Sequence, residues 1–306
     1  MAIIAASGAA FAQSAVTVYG TADVGIATSN NGGKVHMSGN EVTNNGNSRI
    51  GFKGVEDLGS GLKASFSLEA GVNLENGATD ASVFQRAANV SVAGEFGEVR
   101  LGRGLSLGYT SASMYDVTSM ANYSTIGNTF GTVGGTRNNS EIRYTSPEFA
   151  PGLKLAIGYV LAEDNLVGAK VATASSPAVD GVKTSKMDLA AMYGNGPVFA
   201  SAAYSKPTDG EKSYALGGGY SFGAYKVAAS YQDPAGVSKG MTVGASAEFG
   251  NATVAVDVAR DTGLSATNYV VEGKYSFSKR TFTYAALQRL GATSTNVVSA
   301  GLRHNF

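Results

Sequence analysis

Arg49 and Lys53 are the charges whose types and spacing most directly suggest chemistry. They stand four residues apart in an alternating apolar and polar stretch, so they share one face two pleats apart, beside the tight-turn run Glu56-Asp57-Leu58-Gly59-Ser60-Gly61. Glu69 occupies the same kind of polar face in the next alternating stretch, and Arg143 does so between Ile142 and Tyr144. Charges held in a confined, partly desolvated passage generate larger potentials than charges on an open surface, so their chemistry would be the attraction and sorting of ions. Taken singly, each cation is by default a solubilising residue, and Glu69 reads as one member of a wall ion pair. Catalysis has little to stand on. The only histidines are His36, in a polar run, and His304, on the apolar face of the last alternating segment, and neither suits a base beside a nucleophile. Cysteine is absent, Gly102, Gly104 and Gly108 miss the spacing of a nucleotide fingerprint, and no cluster offers metal ligands. The sequence therefore predicts no enzyme, no cofactor and no metal.

The elements that must position these charges are strands. From Ala15, the residues Val16, Val18, Gly20, Ala22, Val24 and Ile26 alternate with Thr17, Tyr19, Thr21, Asp23 and Gly25. Leu62 to Val72 and a strand expected over Phe84–Ala93 repeat the scheme, as do later outward sets including Tyr214/Leu216/Gly218/Tyr220, Val254/Val256/Val258 and Phe282/Tyr284. About sixteen such segments follow one another at roughly eighteen residues per strand and connection, and short turns exchange with long polar ones. The polar run Ser29–Asn47 is expected to be an exposed loop, and Asp164–Thr184 another long connection. Between Arg103 and Arg137 the alternation fails; a segment of that length without regular structure is usually functional, and it is expected to fold inward into a channel.

A chain of 306 residues suits a large barrel with an aqueous interior better than one solid core. No apolar run approaches the length of a membrane-spanning helix, but barrel strands need only about ten residues and turn every second one to lipid. The 15 Tyr and 13 Phe, without any Trp, would supply the interfacial girdles. Zero formal net charge argues against nucleic acid as a partner. The opening residues 1–12 end in Ala10-Phe11-Ala12, a small-x-small pattern without a basic leader, and read as a truncated signal peptide or as an ordered strand edge. The barrel domain would then be 13–306. A passive channel is the reading favoured by the polar inner face; a surface adhesion or receptor protein anchored by a barrel is the other.

Several runs resemble the Gram-negative general diffusion porins, especially those of β-proteobacteria: Ala15-Val16-Thr17-Val18-Tyr19-Gly20 with Asp23, Ser48-Arg49-Ile50-Gly51-Phe52-Lys53-Gly54-Val55-Glu56-Asp57-Leu58-Gly59, Gly97-Glu98-Val99-Arg100-Leu101-Gly102-Arg103, Arg143-Tyr144-Thr145-Ser146-Pro147 and Gly301-Leu302-Arg303-His304-Asn305-Phe306. The resemblance implies an all-β fold, a sixteen-stranded antiparallel transmembrane β-barrel with an inward-folded third external loop, assembled as a homotrimer among outer-membrane lipid and lipopolysaccharide. It implies passage of small hydrophilic solutes and ions, and reading of Phe306 by the outer-membrane assembly machinery. It further implies a constriction with Arg49, Arg86 and Arg143 on the basic side, and Glu69 of the wall and Asp116 of the loop on the acidic side. With Lys53 added from its shared face with Arg49, the candidates carry an excess of positive charge that predicts a weak preference for anions. Counting by twos from Val90 and Val92 turns Arg86 toward lipid, at a cost of roughly 2–4 kcal/mol near mid-membrane, so a β-bulge is expected between Arg86 and Val90.

Overall fold

A computed structural model describes residues 15–164, 166–167 and 182–306; the expected leader over residues 1–12 and most of the connection 164–184 lie outside the described residues. Sixteen strands form the wall: β1 (Ala15–Ser29), β2 (Arg49–Gly59), β3 (Leu62–Gly71), β4 (Ala87–Gly94), β5 (Gly97–Leu105), β6 (Arg137–Thr145), β7 (Leu153–Val160) and β8 (Lys186–Asn195). They continue as β9 (Val198–Pro207), β10 (Ser213–Phe222), β11 (Tyr225–Asp233), β12 (Gly240–Phe249), β13 (Ala252–Asp261), β14 (Ala266–Ser276), β15 (Thr281–Leu290) and β16 (Thr295–Asn305). Each pairs antiparallel with its successor, and β16 returns to β1 through pairs from Thr21↔Asn305 to Ser29↔Val297, closing the sheet. Closure leaves no unpaired edge, which hydrocarbon would penalise by several kcal/mol per exposed amide.

Alternation sorts the side chains into an inverted pattern. Val16, Val18, Leu216, Val243, Val256 and Leu302 are exposed on the outer face, while Asp23, Glu141, Asp188, Gln232, Asp257 and Glu272 are buried on the inner one. In a soluble sandwich this burial would be reversed; in a membrane barrel the exposed apolar band meets lipid. Tyr220, Phe222, Tyr225, Phe249, Tyr275 and Phe277 lie exposed along the short-turn rim, with Phe222 and Tyr225 stacked at 5.6 Å between ring centroids. Tyr159, Tyr204, Tyr214, Tyr231 and Tyr269 stand toward the long-loop rim, so the expected double girdle is carried without Trp.

Several local expectations are corrected. The turn expected over Glu56–Gly61 shrinks to Ser60 and Gly61, because β2 runs on to Gly59 with a register shift between Asp57 and Gly59; both turn residues take positive φ. Phe282 and Tyr284 face inward rather than to lipid: Tyr284 is 2% exposed, and its hydroxyl donates to Asp23 Oδ1 at 2.7 Å. The run expected as an exposed loop after β1 turns back on itself, pairing His36–Ser38 with β1 and burying Asn44 and Asn45. Asn44 pays for that burial through bonds to Ser38, Asp23 and Tyr284, so an Asn-rich stretch becomes a satisfied interior.

Residues 106–136 are not structureless. They carry α1 (Leu107–Tyr115) and α2 (Thr125–Thr129), capped by Ser106 and Ser124; the Ser106 hydroxyl accepts from the Tyr109 amide at 3.0 Å. The contacts of α1 are to β8, β9, β10, β11 and β7, through its buried stripe Leu107, Gly108, Ser111, Ala112 and Tyr115. Tyr115 lies over Gly217 of β10, where a Cβ would come within 2.6 Å of the ring. It clusters with Ala112, Val117 and Ile126 of its own segment and with Ala228 and Ala255 of the wall, whose small side chains let the segment approach closely, while Met120 and Phe199 pack at the edge.

Candidate channel constriction

The site is built from two facing surfaces. On one, four wall strands or their ends deliver guanidinium groups. Arg49 opens β2, Arg86 immediately precedes β4, Arg137 opens β6 and Arg303 lies near the end of β16. All four border a polar opening of about 470 Å³, with Glu41 the only carboxylate among its lining residues. Facing them are Tyr109, Asn122, Asn128, Thr132 and Thr136 of the segment after β5. Burial pushes the Tyr109 phenol up, so it stays neutral and adds no negative charge.

The arginines are held by their surroundings. Glu69 bridges two of them: Arg86 Nε donates to Glu69 Oε1 at 2.8 Å, and Arg49 Nε lies 3.6 Å from Glu69 Oε2. The Tyr19 hydroxyl donates to the same carboxylate at 3.0 Å. Glu69 thus sits within the basic side rather than opposite it. Arg137 Nε donates to the Arg86 carbonyl at 2.9 Å, and Arg303 Nη1 to Asn45 Oδ1 at 2.8 Å. The expected β-bulge near Arg86 does not exist. Strand β4 starts at Ala87 with Glu69↔Ala87 as its terminal pair and no register shift. Arg86 lies at a bend just before it, its amide still donating to the Glu69 carbonyl at 3.2 Å, and its side chain turns to the Glu69 carboxylate instead of to lipid.

The other three expected residues lie elsewhere. Lys53 is exposed nearer the short-turn end, its ammonium 5.0 Å from the centre of the Tyr19 ring. Asp116 is 2% exposed at the C-cap of α1, and its carboxylate accepts from the Thr118 amide at 2.7 Å and from the Thr118 and Ser124 hydroxyls, so it braces its own segment instead of bordering the opening. Arg143 is buried beside Glu141, donating to it at 2.9 Å and to the Leu105 carbonyl at 2.7 Å, while Arg100 donates to the same carboxylate at 2.7 Å. This trio secures the root of the segment where β5 ends. Arg143→Gln is therefore expected to leave the reversal potential where it was and to destabilise the barrel by about 3–5 kcal/mol, the usual cost of breaking a buried pair; thermal unfolding and a salt-gradient measurement on one preparation check both halves.

Sequence reasoning missed Arg137 and Arg303 as lining groups. Parity could have found Arg303, since Leu302 and His304 face outward. It also missed the wall groups that hold the segment: Glu272 accepts from the Tyr123 hydroxyl, Asp257 from the Thr125 hydroxyl, and Gln232 Nε2 donates to the Tyr115 hydroxyl at 3.0 Å. Asn45 adds a link from the first connection, donating to Tyr123 at 2.9 Å and to Glu272 at 3.2 Å.

A closed sixteen-stranded sheet with a lipid-type exterior, a polar interior and long connections on one rim only defines an outer-membrane β-barrel of the kind Gram-negative bacteria build. The chain belongs to the Gram-negative porin family, whose model matches residues 1–295. Among curated proteins it is similar to outer membrane porin protein 32 of Delftia acidovorans, 33% identical over 243 residues, covering 74% of this chain and 66% of that protein. It is also similar to an outer membrane porin protein of Bordetella pertussis, 29% identical over 252 residues, covering 72% and 64%. The chain thus aligns with just under two thirds of the length of these relatives. Among solved structures, the anion-selective porin from Comamonas acidovorans superposes with a TM-score of 0.75 at 26% identity, covering 96% of this chain and all of that one. A mutant of the Rh. blastica porin superposes at 0.72 with 18% identity, covering 95% of this chain and 100% of that one, which bears on the fold alone.

Proposed function

We propose that the protein is a passive diffusion channel for small hydrophilic solutes and ions that favours anions, with residues 106–136 acting as the inward-folded third external loop. The observation that carries this reading is the set of four guanidinium groups bordering the opening against a single carboxylate. Arginine stays charged throughout the physiological range, and in a narrow passage with low-dielectric walls such an excess raises the local anion concentration. The anion-selective porin from Comamonas acidovorans supports the same sign. Arg49 and Arg86, joined by Arg137 and Arg303, form the positive side of the constriction, with Glu69 holding two of them in place. Lys53 acts at the mouth, and Asp116 and Arg143 act on the loop's shape. Family membership makes a channel the natural activity rather than an enzymatic one. Conductance in a planar bilayer tests the reading directly, and a barrel that inserts without conducting would favour the adhesion or receptor alternative.

The assembled state is a homotrimer, as the resemblance to trimeric porins implies, preceded by removal of a leader upstream of residue 13. Phe306 closes the seam of the barrel: its amide donates to the Gly20 carbonyl at 3.1 Å, and its carbonyl accepts from the Gly20 amide at 3.0 Å. Its exposed ring at the end of an outward-facing strand suits recognition by the assembly machinery. Wild-type protein is expected to run as an oligomer in unheated detergent gels and as a monomer after boiling. Phe306→Asp is expected to deplete the heat-sensitive oligomer in cells while leaving the reversal potential of any inserted channel unchanged. Normal oligomer levels in that variant would remove the assembly role.

A further inference from the structure

Two neighbouring hairpins on the long-loop rim carry the same device, which the channel function does not use. In the first, Arg260 of β13 donates through Nη1 to the Ser265 carbonyl at 3.1 Å and to the Thr267 hydroxyl at 3.0 Å. In the second, Arg289 of β15 donates through Nη1 to the Ser294 carbonyl at 2.9 Å and to Asn296 Oδ1 at 3.1 Å. The sequence spacing is identical, an arginine followed five residues later by serine and seven later by Thr or Asn, and both serines take φ of 54°. Both arginines lie on the outer face, in line with the exposed Val258 and Leu287, so they serve the lipid side and not the channel.

A charge on the lipid side of a barrel requires a reason. At the rim the cost falls to roughly 0–1 kcal/mol, but the two-bond clamp still spends side-chain freedom on fixing one edge of each guanidinium. Fixing Nη1 leaves the remaining N–H groups of a planar fork preoriented, and neither arginine has an ion-pair partner among the described residues. The pair straddles β14: Arg260 is opposite Thr267 and Arg289 opposite Tyr269. Two strand spacings across and two residues along place their backbones on the order of 12 Å apart. Below them the surface is Tyr269, Val258 and Leu287, which is acyl-chain territory.

We infer that Arg260 and Arg289 form a two-point phosphate clamp on the outer wall, taking the phosphorylated glycolipid of the outer leaflet with its acyl chains laid against Val258, Tyr269 and Leu287. Charge complementarity and position argue for this occupant. A second copy of the chain would bring another apolar wall to this face, and the exposed guanidinium groups would then have to be buried without a counter-charge. The inference rests on the outer-membrane location and not on the channel reading, so conductance is unaffected by its failure.

The test uses folded, detergent-purified full-length protein and native mass spectrometry with three probes: a bis-phosphorylated lipid A, the same lipid with both phosphates removed, and phosphatidylglycerol. Wild type is expected to hold the bis-phosphorylated lipid at least about tenfold more tightly than either other probe, consistent with charge-assisted hydrogen bonds. The Arg260→Gln/Arg289→Gln variant should lose that preference while remaining a heat-modifiable oligomer. Lys279→Gln/Arg280→Gln, at the opposite rim, should keep it. Equal retention of all three probes by wild type, unchanged preference in the Arg260/Arg289 variant, or dissociation of the oligomer in that variant without loss of lipid binding would each overturn the clamp, the last in favour of a subunit interface.

Discussion

Replacing Arg49 and Arg137 together by glutamate is expected to turn the channel's preference from anions to cations. In the parent, four guanidinium groups against Glu41 and the bridging Glu69 leave an excess of two positive charges, and the double change converts this into an excess of two negative charges. Because the groups border a confined passage, the local potential and not the neutral total of the chain sets which ion is enriched. The effect has a salt signature. At 0.1 M the Debye length is about 10 Å, whereas at 1 M it is about 3 Å and both proteins should discriminate poorly. Zero-current potentials across a salt gradient read the sign directly. Lys53→Glu should move the potential in the same direction but less, since Lys53 is displaced toward the short-turn end. A double variant whose potential keeps the parent's sign at low salt would mean that another surface limits the current.

The second large effect concerns the loop rather than its charges. Tyr115 and Tyr123 are 2% and 1% exposed, and each combines a packed ring with a hydroxyl bonded to the wall, at Gln232 and Glu272. Truncating a buried ring of this size costs about 3–5 kcal/mol, enough to rival the stability of a locally opening segment. The Tyr115→Ala/Tyr123→Ala variant is therefore expected to show higher and noisier single-channel conductance. Its oligomer should survive in unheated gels, because the wall is held by its own backbone ladder. Conductance indistinguishable from the parent would show that the remaining contacts, such as Ser111 with Ser201 at 2.9 Å and Lys226 with the Met114 carbonyl at 3.3 Å, suffice to hold the loop.

The wall was legible in the sequence because membrane strands obey a period of two with sharply different solvents on their faces. That rule located Arg49 and the inward set around Glu69, and it would have found Arg303. It failed at Arg86 because parity holds only inside a ladder, and the strand begins one residue later. The same rule places Phe282 and Tyr284 inward once the count starts from Ala285 and Leu287, which mark the outward face. The loop helices were hidden for a different reason. The buried stripe of α1 has helical spacing but consists of Leu, Gly, Ser, Ala and Tyr, a mixture without hydropathic contrast, since the wall it meets is itself polar. Arg143 and Asp116 carried the right charges, but their partners Glu141 and Ser124 are local hydrogen-bonding groups whose claim on them no spacing rule announces.

Gly217 accepts the ring of Tyr115 at a distance no side chain would allow, and Gly244 does the same for Val117, with Cβ positions 2.6 and 2.7 Å from those side chains. If residues 106–136 narrow the passage as proposed, these hollows would write its calibre in the wall as much as in the loop. Gly217→Ala, whose Cβ would meet only the Tyr115 ring and Ser230, would shim the loop away from its seat without touching a charge, whereas Gly244→Ala would also press on the Asp257 carboxylate. On the channel reading proposed above, calibre and ion preference would be set by different residues, a glycine on β10 for the one and arginines on the far side for the other, so a lineage could resize its solute cut-off while keeping its selectivity.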